Sequence, residues 1–132
     1  METRVDLKFL KNDQFEITAA TNQITIMVDK KKEGVSAAGP NPLKLFLSSL
    51  AACVGVYALR NCSNHTIHFS TLSVSASADF SQEPPARLVN VKVRVSTEAD
   101  LADKKEVFLR FIRNCPIHNT IVHSEEVEIN LN

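Results

Sequence analysis

An α+β fold is predicted for this 132-residue chain, with its elements in the order βββ-α-ββ-α-β. Three observations predict it. Apolar residues recur at period two in short separate runs, which marks half-buried strands. One apolar-rich stretch, Leu43 to Leu59, is too long for a strand. A further stretch, 100 to 115, carries its apolar residues at helical period.

The first three strands form a meander. Val5, Leu7 and Phe9 alternate with Asp6 and Lys8; Phe15 and Ile17 alternate with Glu16 and Thr18. Asn12-Asp13 between them is a turn signal, because short Asx side chains tolerate positive φ. From Gln23 to Asp29, Ile24, Ile26 and Val28 repeat at period two. Residues 30 to 40 read as a loop. The chain then presents Asn41-Pro42, a good N-cap followed by the residue best suited to the first helical position. A helix is expected from Pro42 to about Asn61, apolar on most sides and so nearly engulfed.

Leu72, Val74, Ala76, Ala78 and Phe80 form the next strand pattern; Pro84-Pro85 breaks the chain; Val89, Val91, Val93 and Val95 resume it. The polar alternates give this antiparallel pair one wet face. Leu101, Phe108, Phe111, Ile112 and Cys115 follow with helical spacing, and Asp100 is a plausible cap. Pro116 interrupts, a short helix restarts over Ile117 to His123, and Val127, Ile129 and Leu131 close the chain as a strand. Residues 1–132 are expected to make one domain, since this length gives little room for a second core.

Composition removes several functions. Lys+Arg and Asp+Glu are both 15, so the net charge is zero and nucleic acid is not the expected partner. The basic run Lys30 to Lys32 reads as a solvated loop. With 3 glycines there is no Gly-rich phosphate loop, and no nucleotide cofactor is expected. The opening residues Met1 to Asp6 are charged and run straight into a strand pattern, so no secretory leader is expected. Lys44, Ser48 and Ser49 interrupt the apolar stretch, which reads as a core helix rather than a membrane span. The expected location is the cytoplasm. Three cysteines (53, 62 and 115) match no compact zinc spacing. His65, His68 and His123 have no metal spacing either. Catalytic, redox or simply buried thiols remain.

Two segments stand out together. One is Gly39-Pro40-Asn41-Pro42-Leu43-Lys44-Leu45-Phe46-Leu47, leading to Leu50-Ala51-Ala52-Cys53. The other is Asn114-Cys115-Pro116-Ile117-His118-Asn119-Thr120-Ile121. In this order and on these elements they resemble the two cysteine motifs of the OsmC/Ohr superfamily, and the resemblance covers essentially the whole chain. It implies an OsmC-like fold: an intertwined homodimer with central buried helices and outer antiparallel sheets. It also implies thiol-dependent reduction of organic hydroperoxides in oxidative-stress defence. Cys53 would be the attacking thiol and Cys115 the resolving one, with a dithiol such as a lipoyl protein as reductant. In the peroxidase members an Arg from the region before the helix activates the first cysteine. A Glu ten residues before that cysteine holds the Arg. Here Leu43 stands at the Glu position, which marks a divergent branch. Arg4 is the one Arg before the helix, and Lys30 to Lys32 are substitute cations without a bidentate guanidinium.

The chemistry needs one activated thiolate and one partner thiol, which traps the sulfenic acid as a disulfide. Cys53 lies about three turns into its helix, beyond effective reach of the helix dipole. Burial alone raises a thiol pKa, so a cation must come from elsewhere. Cys62, nine residues after Cys53, is half a turn out of phase with it and reads as incidental. Phe46, Leu50 and Tyr57 share a stripe with Cys53 and would wall an apolar substrate pocket, suited to a small hydrophobic hydroperoxide. His118 and Lys44 are candidate assisting groups, although His118 can equally serve as a hydrogen-bonding residue at a helix start. No metal is implied. Each cysteine also has a plain structural reading as a small buried apolar residue. The alternative function is a non-catalytic small-molecule-binding or redox-sensing dimer on the same scaffold.

Overall fold

The computed structural model describes residues 2–19, 22–27 and 39–132. Its elements are strands β1 (Asp6–Phe9), β2 (Gln14–Ala19) and β3 (Asn22–Met27), helix α1 (Pro42–Asn64), strands β4 (Leu72–Phe80) and β5 (Leu88–Thr97), a 3₁₀ turn (Ala102–Lys104), and helices α2 (Lys105–Arg113) and α3 (Pro116–Val122). The α+β class and the first seven predicted elements are thus observed. The chain divides into two compact units, Met1–Phe46 and Leu47–Asn132.

In the first unit, β1, β2 and β3 form an antiparallel meander. The Asn12-Asp13 turn forms as the sequence indicates, with positive φ at both residues and the Gln14 N–H donating to the Lys11 carbonyl. Phe9 pairs directly with Phe15, edge to face at 5.6 Å between ring centroids. Among the described residues of this unit, Ile17 and Ile26 are buried. Gly39 has a steric reason to be glycine: a Cβ there would collide with the Thr25 carbonyl oxygen. Val28, Asp29 and the expected 30–40 loop up to residue 38, with Lys30 to Lys32, lie outside the described residues.

Helix α1 starts as predicted. The Asn41 side chain accepts from the Lys44 N–H at 2.9 Å, and the Asn41 carbonyl accepts from Leu45. It ends three residues later than the polar cluster at Asn61 indicates. The reason is that Asn61 and Cys62 continue its buried stripe and are 1% and 2% exposed. The stop is a Schellman arrangement. Ile67 N–H donates to the Cys62 carbonyl and Thr66 N–H to Ser63, with Thr66 at φ 52° where glycine is usual. The Lys104 ammonium also donates to the His65 carbonyl at 3.2 Å.

In the second unit the core is Leu50, Val54, Ala58, Cys62, Phe108, Ile112 and Cys115. The first four lie four residues apart, one stripe of α1. Each large apolar side chain so buried contributes roughly 1.5–3 kcal/mol. Gly55 lets β4 approach, since a Cβ there would sit 3.4 Å from Val74 Cγ2. The predicted wet face of the β4–β5 pair is present. Ser73, Ser75 and Ser77 are exposed, while Leu72, Val74 and Ala76 are half-buried, the first two against the core.

Four expectations change here. Within the single chain helix α1 is not engulfed: Val56 and Leu59, on the side away from the stripe, are 45% and 47% exposed. By length and composition α1 could cross a bilayer, but its stripe is the centre of the core. Cys115 does not end a helix running from 100. The helix stops at Arg113, and Cys115 is extended and caps α3. The closing strand does not form. Val127, Ile129 and Leu131 are 79%, 92% and 100% exposed, because a period-two run needs a neighbour's backbone hydrogen bonds and no described strand supplies them. Asp100 is not the cap: the N-cap of the 3₁₀ turn is Leu101, with no side-chain cap hydrogen bond, and the Asp100 carboxylate closes a local turn by accepting from the Ala102 N–H at 3.0 Å.

Glu98 ties the two ends of the β4–β5 pair together. Its carboxylate accepts from the Ser70 N–H, the Ser70 hydroxyl at 2.7 Å, the Thr71 N–H at 3.0 Å and the Thr71 hydroxyl at 2.7 Å. These donors, the Ser70 N–H first, hold its carboxyl well below the usual carboxylate range. A depressed folded-state pKa gives stability that is full above the unfolded value of about 4.3 and fades as pH falls. Glu98→Gln therefore lowers the melting temperature at pH 7, and the gap to the parent chain narrows below about pH 4. Thermal unfolding of both chains at the two pH values checks this.

Candidate functional site

Cys53 lies on the margin of the α1 stripe, one residue before Val54, so its thiol is half-buried. Cys115 arrives from the other side of the core. The chain leaves α2 at Arg113, turns extended at Cys115 (φ −68°, ψ 143°) and enters α3 with Pro116 in the first turn. The Cys115 sulfur takes the N-cap role usually filled by a side-chain oxygen, accepting from the His118 N–H at 3.3 Å. It is fully buried.

The two cysteines are neighbours: Cys53 packs on the core cluster that contains Cys115. Both are free thiols. Burial pushes the Cys115 thiol above its ordinary range; the His118 N–H pulls it back, and the neighbouring Cys53 thiol adds to the rise. Cys62 is also pushed up, by burial alone. It is a core residue of the same stripe, on the margin opposite Cys53.

The assisting groups divide. His118 is at the site, but through its backbone. Its ring Nδ1 lies 2.6 Å from the Arg113 carbonyl oxygen. A carbonyl only accepts, so Nδ1 carries the proton in that bond and Nε2 is left as the acceptor of the neutral ring. Lys44 precedes Cys53 by nine residues, about 14 Å of helix rise and half a turn out of phase, so helical spacing sets it away from Cys53. Arg4 pairs with Asp6 at 3.0 Å.

The pocket expected from Phe46, Leu50 and Tyr57 is built differently. A cleft of about 360 Å³ is lined by Leu50 and Val54 of α1, three β5 valines, Leu109, Ile112, Arg113, His118, Ile121 and Val122. Leu50 lines it. Phe46 is 42% exposed and does not. Tyr57 is turned to the other margin of the stripe. There its ring packs 5.4 Å from that of Phe111, and the Arg60 guanidinium carbon stands 5.2 Å from its centroid. Leu50 and Val54 share the cleft with residues of β5 and α2, whereas Tyr57 packs on Phe111 of α2 outside it.

Sequence reasoning missed Arg113, Arg60 and Phe111 as neighbours of the site. The one available signal was the position of Arg113, two residues before Cys115; the others depend on how α1 meets α2. Among the described residues, no group of three His, Cys, Asp or Glu side chains could hold a metal ion.

Comparison with known proteins gives one consistent answer. A family profile described as OsmC-like protein matches residues 31–131. A hydroperoxide reductase of Mycoplasma pneumoniae is 27% identical over 138 residues, covering 100% of this chain and 96% of that one. Its counterpart in Mycoplasma genitalium is 26% identical over 137 residues, covering 99% and 96%. The crystal structure of an OsmC-like protein from Mycoplasma pneumoniae superposes with a TM-score of 0.78 at 21% identity, covering 100% and 95%. The organic hydroperoxide resistance protein OhrB of Bacillus subtilis gives 0.67 at 17%, covering 94% and 93%. These structural likenesses speak to the fold. With a profile match that spans most of its length and includes both cysteine motifs, the chain belongs to the OsmC-like protein family.

Proposed function

We propose that this chain reduces organic hydroperoxides through a Cys53/Cys115 sulfenic acid–disulfide cycle, in oxidative-stress defence. The observation that carries the reading is two adjacent free thiols of unequal burial, one half-buried and one sealed. The names of the two Mycoplasma relatives support the substrate class. In the first step the Cys53 thiolate attacks the peroxide oxygen. The O–O bond breaks, an alcohol leaves after protonation, and Cys53 becomes a sulfenic acid. Cys115 then displaces water from it and closes the disulfide. A dithiol reductant, such as a lipoyl protein, reopens the disulfide by exchange. The apolar core side chains on which Cys53 packs favour a small hydrophobic peroxide over hydrogen peroxide.

The working form is a homodimer in the cytoplasm, with the chain acting as one OsmC-like domain. Two features support a second copy: the exposed side of α1 at Val56 and Leu59, and the unpaired alternation of Val127, Ile129 and Leu131. The second reading, a non-catalytic binding or redox-sensing dimer, draws on the apolar cleft, which Cys53 does not line.

Three measurements follow. Brief alkylation of the native protein adds one label, on Cys53, while Cys62 and Cys115 label only after unfolding; equal labelling of all three would contradict the burial on which the scheme rests. Cumene hydroperoxide lowers the parent mass by two hydrogens through a Cys53–Cys115 disulfide, and Cys53→Ser loses at least about 10²-fold in peroxide turnover. A Cys53→Ser chain as fast as the parent ends the peroxidase reading in favour of the binding one. Light scattering finds two copies per particle, and Leu59→Lys shifts the particle toward one.

A further inference from the structure

Helix α2 ends on carbonyl groups that its own turns cannot use, as every helix does. Those of Arg113 and Asn114 stand immediately before Cys115, and side chains from the first turn of α3 take both. The His118 ring, with its proton on Nδ1, donates to the Arg113 carbonyl oxygen at 2.6 Å. The Asn119 amide donates to the Asn114 carbonyl oxygen at 3.3 Å and to the Asn114 side-chain oxygen at 3.1 Å. Each of these bonds spans Cys115. The backbone adds two more: the His118 N–H donates to the Cys115 sulfur at 3.3 Å, and the Asn119 N–H to the Cys115 carbonyl at 3.0 Å. His118 and Asn119 thus each hold the turn twice, once through the backbone and once through the side chain.

The doubling matters because the cap is a sulfur. A thiol accepts more weakly than the oxygens that usually cap a helix, and Pro116, which follows it, has no N–H to contribute. The sulfur is also the reacting atom. When it attacks the oxidised Cys53 its lone pair enters the new S–S bond, and the cap weakens. The bonds from the His118 ring and the Asn119 amide involve no sulfur, so the reaction does not draw on them. Resting on the peroxidase reading, we infer that His118 and Asn119 are positioning residues for the resolving step: their side chains pin the start of α3 to the end of α2 and so hold the buried Cys115 sulfur in place for Cys53. The Cys53 sulfenic acid has two fates. Cys115 displaces its hydroxyl, which leaves as water with the Cys115 proton, and the disulfide closes. Otherwise a second hydroperoxide transfers an oxygen to it, giving a sulfinic acid and an alcohol. The first fate is an intramolecular step that depends on where Cys115 stands; the second depends on peroxide concentration. At one peroxide concentration the ratio of the two products therefore reads the position of Cys115, whatever the rate of the first oxidation.

Cumene hydroperoxide is added to the reduced chain, the remaining thiols are alkylated, and disulfide and sulfinic acid at Cys53 are quantified by mass spectrometry. His118→Phe keeps a ring and the backbone N–H but removes the Nδ1 donor; Asn119→Leu removes the amide and leaves every His118 bond in place, so it carries the test if His118→Phe does not fold. Each raises the ratio of sulfinic acid to disulfide about three- to tenfold, the contribution of one such hydrogen bond. His118→Asn, whose Nδ2 takes the place of Nδ1, returns the ratio toward the parent value. Thr120→Val is the control for mere helix stability. It loses the 2.8 Å bond from its hydroxyl to the Pro116 carbonyl within α3 but none to α2, and it keeps the parent ratio. An unchanged ratio in the His118→Phe and Asn119→Leu chains, a His118→Asn chain no better than His118→Phe, or a Thr120→Val chain as impaired as either overturns the inference and leaves the peroxidase reading standing. A parent chain in which the peroxide closes no Cys53–Cys115 disulfide overturns the peroxidase reading on which the inference rests.

Discussion

The packing of one helical stripe, Leu50, Val54, Ala58 and Cys62, is what the second unit depends on. These four residues are at most 6% exposed, and α2, α3 and the inner face of the β4–β5 pair close around them. The stripe also sets the chemistry. A residue one step off a buried stripe is half-covered by geometry, and Cys53 is that residue. It gains a wall of packed side chains on one side and access on the other. Cys62, on the opposite margin, is buried.

Cys115 obeys a different constraint. It sits where one helix ends and another begins, so its backbone is extended and its sulfur serves as the cap of α3. That role fixes the side chain toward the core and toward Cys53. A cap acceptor with an N–H directed at it is also a sulfur that can carry negative charge for a moment, which suits a leaving group better than an attacking one. Burial works against ionisation at rest. The two thiols thus differ in access, although that difference is not visible in the local composition around them.

Leu43 stands where the family resemblance implies a carboxylate, and Arg4 is engaged with Asp6. Arg60 stands over the Tyr57 ring, and Arg110 and Arg113 are exposed on α2.

The order of elements up to α3 was legible in the sequence, because periods of two and 3.6 residues and the signals Asn12-Asp13, Asn41-Pro42 and Pro84-Pro85 are local. The two cysteines were legible as a motif pair for the same reason. The end of α1 was not: polar Asn61 marked a stop, yet tertiary packing buried it and carried the helix to Asn64. The closing strand was misread within the chain because pairing is a property of two strands, and Val127 to Leu131 specify one. The pocket was only partly legible. A helical stripe names Leu50 and Tyr57 together, but the angle at which α1 meets β5 and α2 sends them to different sides. Sequence by itself determined which residues repeat, cap and turn. Tertiary structure decided which thiol is sealed and which is open, because that depends on contacts between segments some 60 residues apart, where no local pattern reaches.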